Sequence, residues 1–133
     1  MYKRQAIEHA GITKESVDYI NTHGTSTGMG DPIETNAIAE LFSEHAGEMA
    51  VTSTKGATGH MMGAGGITEA ITCIQCIRTG VVPPTLNLDE LDEKCASLNY
   101  VPHKAIEKEV RVAMSNSFGF GGQNSSVIFC RYE

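Results

Sequence analysis

Positive charge is scarce in this sequence. Ten Lys and Arg stand against sixteen Asp and Glu in 133 residues, a net charge of −6 with histidine neutral. A nucleic-acid binder needs basic density to displace the counterions of the phosphate backbone, so that class is excluded. Long apolar runs are missing too, and with them any transmembrane helix, which takes about 20 consecutive apolar residues. The first ten residues carry charge along their length and lack the apolar centre of a signal peptide. A cytoplasmic protein with no membrane contact is expected. No repeat, low-complexity tract or linker is visible. With 41% hydrophobic and 20% charged residues, the chain reads as one globular domain.

Cysteine is confined to Cys73, Cys76, Cys95 and Cys130. Cys73-Ile-Gln-Cys76 has the CxxC form of a redox centre or half a zinc site. No second pair stands at zinc-finger spacing, and the motif lies in an apolar, helix-like run where cysteine acts as a small hydrophobe. HExxH is absent, and GxxxxGK[ST] is absent. Gly119-Phe120-Gly121-Gly122 lacks GxGxxG spacing and leads into a strand rather than a helix. Neither a metal nor a cofactor is expected.

What is present alternates. Residues 2–10 read as a helix stopped by Gly11, and residues 17–21 as a short strand. Asp31-Pro32-Ile33-Glu34 opens a helix, with Asp accepting from free N–H groups and Pro at its first turn. Its apolar face is Ile33, Ala37, Ile38, Leu41 and Phe42. Residues 49–53 form a second strand, and a Gly-rich passage from 56 to 66 feeds another helix. Ile67, Ala70, Ile71, Ile74 and Ile77 define the inner face of that helix, broadened by Cys73 and the small residues Gly63, Ala64, Gly65 and Gly66, and the helix is expected to be buried between layers. Gly80 ends it and Pro83-Pro84 blocks continuation. Residues 84–102 are loop-rich, and late strands at 110–114 and 126–132 flank a glycine-rich turn. The order implies an α/β domain with a mixed β-sheet layered with helices.

Three polar clusters fall at strand exits, where ligands collect in α/β sheets. They are residues 21–27, residues 53–60 and the turn 118–122. His23 is either a capping or core histidine or a functional one. His60 has Lys55 five residues before it; a nearby cation disfavours imidazole protonation, leaving a neutral N–H donor for developing negative charge. Phe118 and Phe120 are either core residues or, with Gly119 between them, a mobile aromatic gate.

Taken together and in order, the clusters resemble a known family. His23-Gly24-Thr25-Ser26-Thr27 with Gly30-Asp31-Pro32-Ile33-Glu34, then Ser53-Thr54-Lys55 to Gly59-His60, then Asn116-Ser117-Phe118-Gly119-Phe120-Gly121-Gly122 are similar to the β-ketoacyl-acyl carrier protein synthases. The Val82-Pro83-Pro84-Thr85 and Tyr100-Val101-Pro102 stretches resemble the bacterial fatty-acid elongation branch, synthase II. The resemblance implies a thiolase-like fold of two similar halves, with residues 1–133 as the C-terminal one. It implies decarboxylative condensation of malonyl-carrier protein with an acyl thioester. His23, His60 and Lys55 would be catalytic. Phe120, Phe118 and Gly119 would form the acyl gate and oxyanion contact, supported by Thr25, Thr27, Glu69 and Asn116. Acyl carrier protein, the missing N-terminal half and a second copy in a homodimer are the implied partners.

None of the four cysteines has the strand-to-helix setting of the family nucleophile, so this chain alone is expected to be inactive. A polyketide ketosynthase half shares all three motifs. A non-catalytic chain-length factor or carrier-protein docking module is a further alternative, disfavoured by intact His23, Lys55 and His60. The charge of −6 speaks against this half as the main landing surface for an acidic carrier protein.

Overall fold

The computed structural model of the chain describes residues 2–132; Met1 and Glu133, the ends of the expected domain, lie outside it. Helix α1 spans Tyr2–Ala10, and Gly11 closes it at φ +67°. Strand β1 (Tyr19–Asn21), helix α2 (Gly30–Phe42) and strand β2 (Ala50–Thr52) follow. Next come a single turn of helix, α3 (Lys55–Thr58), and the long helix α4 (Gly65–Thr79). Strands β3 (Val81–Val82) and β4 (Ile106–Glu107) form a small antiparallel pair. The chain finishes with β5 (Val112–Phe118) and β6 (Asn124–Cys130).

The main sheet has the order β2-β1-β5-β6. β1 runs parallel to both β2 and β5, and β6 is antiparallel to β5, so the sheet is mixed. Successive strand residues point to opposite faces, and here both faces are covered. Ile20, Val51 and Met114 face one side, packed with Ile7, Ile38 and Phe42. Tyr19, Ala50 and Ala113 face the other, packed with Cys73, Cys76 and Val82. That alternation makes the layers: α1 and α2 on one face, α4 on the other. Among the described residues no helix is long and apolar enough to cross a membrane.

Three expectations change in detail. The last two strands reach further into the turn than 110–114 and 126–132, because pairing continues from Val112↔Cys130 to Phe118↔Asn124. Asp31 lies inside the first turn of α2, where its Oδ1 accepts the Ser26 N–H, while Thr27 Oγ1 accepts the Gly30 N–H. On α4 the buried residues are Gly65, Glu69, Cys73 and Cys76. Ile67 and Ile71 point away from the sheet at 62% and 51% exposure and Ile74 is exposed with them, whereas Ile77 packs against the inner cluster. Small residues take the inner side because they let the helix axis approach the sheet closely.

This division of α4 and α2 has a direct test. Ile38→Ala removes a fully buried side chain and is expected to cost about 2–5 kcal/mol in urea unfolding of the 133-residue chain. Ile71→Ala is expected to stay within about 0.5 kcal/mol. Equal costs at the two positions would contradict the assignment of faces.

Candidate active site

Because β1, β2 and β5 are mutually parallel in the order of the sheet, their C-terminal ends open on one edge. The chain leaving β1 and β2 carries His23 and His60, and Phe118 is the last residue of β5. The His23 and His60 rings meet edge-on with centroids 5.5 Å apart and planes at 85°. Phe118 packs against His23 at 5.5 Å with a tilt of 52°. Residues from three separate segments therefore share one spot.

The His23 loop is anchored from behind. Glu34 is 4% exposed on α2. Its Oε1 accepts the His23 N–H at 3.1 Å and the Asn116 side-chain amide at 3.0 Å. Its Oε2 accepts the Gly24 N–H at 3.0 Å. Asn116 is completed by Ser126, whose hydroxyl donates to Asn116 Oδ1 at 2.8 Å. Gly24 has φ +41°, and a Cβ there would stand 2.6 Å from the Ser53 Cβ, so only glycine fits this crossing. Ser53 Oγ closes the arrangement by donating to the Gly24 carbonyl at 2.7 Å. Burial pushes the Glu34 carboxyl up from its ordinary value, and the bonds from Gly24, Asn116 and His23 with the charge of Lys3 pull against that.

A second buried pair supports the other loop. Lys55, at the start of α3, donates to Glu69 Oε1 on α4 and forms an ion pair with it. Glu69 Oε2 and Asn21 Oδ1 are buried acceptors without a hydrogen-bond partner among the described residues. His60 Nδ1 accepts the Met62 N–H at 3.2 Å, which leaves Nε2 to carry the proton in the neutral ring. Burial, the Lys55 ammonium and His60 together push the His23 imidazole down to about 4. At pH 7 it is neutral. Among the described residues no group of three or more His, Cys, Asp or Glu is arranged to hold a metal ion.

The candidates thus divide. His23, His60 and Phe118 converge; Lys55 and Glu69 stand behind them as an ion pair; Asn116 acts through Glu34. Phe120 is fully exposed on the turn that follows β5, with Gly119 N–H bonded to the Gln123 carbonyl at 2.8 Å. Thr25 is half-buried and Thr27 is exposed, its hydroxyl occupied at the start of α2.

The profile described as "Beta-ketoacyl synthase, C-terminal domain" matches residues 2–89. The chain belongs to the β-ketoacyl synthase family. It is 48% identical over 128 residues to 3-oxoacyl-[acyl-carrier-protein] synthase 2 of Coxiella burnetii, covering 96% of this chain and 31% of that protein. A β-ketoacyl synthase structure from Burkholderia phymatum superposes with TM-score 0.91 at 39% identity, covering 98% of this chain and 31% of the other. A type II polyketide ketosynthase in complex with its acyl-carrier protein (AntDE:AntF) superposes with TM-score 0.94 at 30% identity, covering 98% and 32%. The chain spans about a third of the length of these relatives, and it has their thiolase-like fold.

Glu34 is the residue of this β-ketoacyl synthase domain that sequence reasoning passed over as a helix-start carboxylate. A signal was there: Glu34, Ile38 and Phe42 are spaced by four, so Glu34 shares the buried face of α2. His23 supplies the prediction for this site. In the β-ketoacyl synthase domain its ring should titrate near pH 4 by NMR, against 6.5 in an unfolded chain. The unfolded state then binds the extra proton between those values, so stability falls as pH drops from 6.5 to about 4. A midpoint at 6.5 for His23 would contradict the buried, cation-flanked setting.

Proposed function

We propose that residues 1–133 are the C-terminal domain of a 3-oxoacyl-[acyl-carrier-protein] synthase II, a cytoplasmic condensing enzyme that elongates fatty acids. The observation that carries the reading is the meeting of the His23 and His60 rings at 5.5 Å. Decarboxylation breaks the bond between the malonyl carboxyl and the α-carbon. Carbon dioxide leaves, and the electron pair moves through the α-carbon to the thioester oxygen as an enolate. That oxygen is stabilised by N–H donors aimed at where its negative charge develops. His60 can offer Nε2–H because its Nδ1 is engaged, and His23 is neutral at the working pH. Burial, and after it the charge of Lys55 held by Glu69, keeps the His23 imidazole from protonating. The enolate carbon then attacks an acyl thioester on a cysteine, forming the new C–C bond and expelling the thiolate.

The cysteine comes from an N-terminal half in this reading. Burial pushes the Cys73 thiol up to about 12 and Cys76 up to about 11, which disarms both as nucleophiles. Cys130 pairs with Val112, at the opposite end of the β5-β6 ladder from Phe118. The outward isoleucines of α4 and the fully exposed Phe120 supply apolar surface for that half to cover. Once it does, Phe120 becomes the gate beside the cysteine, Gly119 and Phe118 give it room and a neighbour, and Thr25 and Thr27 line the approach. Acyl carrier protein delivers both thioesters, and the full-length enzyme works as a homodimer.

A polyketide ketosynthase is the second reading, favoured by the likeness to the AntDE ketosynthase at 30% identity. The 48% identity to synthase 2 supports the fatty-acid branch over it. The test uses the full-length enzyme. His60→Ala is expected to lower malonyl decarboxylation about 100- to 1000-fold while acyl transfer to the cysteine remains measurable. The 133-residue chain alone should turn over neither thioester. Loss of acyl transfer with decarboxylation intact, or condensation by the chain alone, would contradict the proposal.

A further inference from the structure

Lys3 is a lysine where the fold expects an apolar residue. It shares the inner face of α1 with Ile7 and is only 8% exposed. Its ammonium stands over the Phe118 ring, 5.4 Å from the centroid, within the roughly 6 Å reach of a cation–π contact. The same ring packs on His23. Burial pushes the Lys3 ammonium down and the Glu34 carboxyl up from their ordinary values, and the charge of each works against the shift of the other. Glu34 in turn holds the His23 and Gly24 backbone. Two routes therefore lead from one buried cation to one imidazole.

We propose that Lys3 is a positioning residue for His23, holding the Phe118 ring against the imidazole. An ionised carboxylate is an acceptor at both oxygens, whereas a protonated one carries an O–H and gives up acceptor capacity. Glu34 already receives three N–H donors, so protonation removes a bond from the loop or from Asn116. Among the described residues, the charged and titratable groups around Glu34 are Lys3, His23 on the loop, Asp31 on its own helix, and Glu90, Asp92, Cys95 and Tyr100 around a cavity of about 280 Å³. Around Lys3 itself, Arg4 on its own helix and Glu40 of α2 line a smaller cavity of about 130 Å³.

The consequence for catalysis rests on the condensation reading above, whereas the test reads only the loop of this chain. Amide hydrogen exchange is followed in the 133-residue chain for Lys3→Met, which keeps bulk without charge, and for Lys3→Arg, which keeps charge. Protection of the His23 and Gly24 amides should fall about tenfold in Lys3→Met relative to the Ile20 amide in the sheet. The His23–Phe118 ring contact, seen as a nuclear Overhauser effect, should weaken with it. The loss of protection on acidification should begin at higher pH in Lys3→Met, because removing the cation lets Glu34 protonate sooner. Lys3→Arg should restore all three. An unchanged loop in Lys3→Met, equal loss at Ile20, or the same loss in Lys3→Arg would overturn the role. None of these outcomes depends on whether the chain condenses malonyl thioesters.

Discussion

The Glu34 carboxylate receives N–H groups from His23, Gly24 and Asn116, and through them it joins the exit of β1, the first turns of α2 and the strand β5. Hydrogen bonds to a charged group contribute about 1.5–3 kcal/mol each, and a buried donor left unpaired costs more than the mean bond gains. The loop after β1 carries Gly24 in a left-handed conformation and Ser26 at φ 61°, neither of which regular structure would hold. Remove the carboxylate, and the backbone of His23 has no reason to stay where it is. The placement of the imidazole follows from this one acceptor more than from packing, since His23 is itself only partly buried.

The second constraint is electrostatic. Two buried charged residues of opposite sign, Lys55 and Glu69, sit behind two histidines, and a further pair, Lys3 and Glu34, sits on the other side of His23 and Phe118. A buried ion pair seldom stabilises a fold more than a hydrophobic pair of similar volume would. The Lys55–Glu69 pair makes more sense as a fixture of local potential: burial chiefly keeps His23 neutral, the ammonium of Lys55 adds to it, and Glu69 keeps that ammonium in place. A neutral imidazole keeps one N–H donor and one acceptor nitrogen.

Much of this was legible before any coordinates. Helix α1, the parallel strands and the two long helices follow from periodicity and from Gly11 and Gly80 as stops. The convergence of His23, His60 and Phe118 follows once β1, β2 and β5 are taken as parallel neighbours. The short α3 was hidden because Lys55-Gly56-Ala57-Thr58 contains glycine and spans one turn, too little for a periodic signal. The face of α4 was only partly legible: Gly65, Cys73 and Ile77 lie inward as expected, but Ile67, Ile71 and Ile74 face out, and periodicity alone does not say which side of a largely apolar helix meets the sheet. Glu34 and Lys3 were missed for one reason. A charged residue reads as solvent-facing unless its register with Ile38 or Ile7 is checked.

The same register argument explains why this third of a longer relative still holds a defined site. Its core is complete on both faces of the sheet, and the features that look unfinished, Phe120 and the outward isoleucines of α4, all lie on the outside. The central claim is that the fold by itself brings the two imidazoles together. Nuclear Overhauser contacts between the ring protons of His23 and His60, recorded on the 133-residue chain at pH 7, measure this directly. Rings with centroids 5.5 Å apart place some of these protons close enough for cross-peaks. Resolved, slowly exchanging rings with no cross-peak between them in a folded chain would contradict the account.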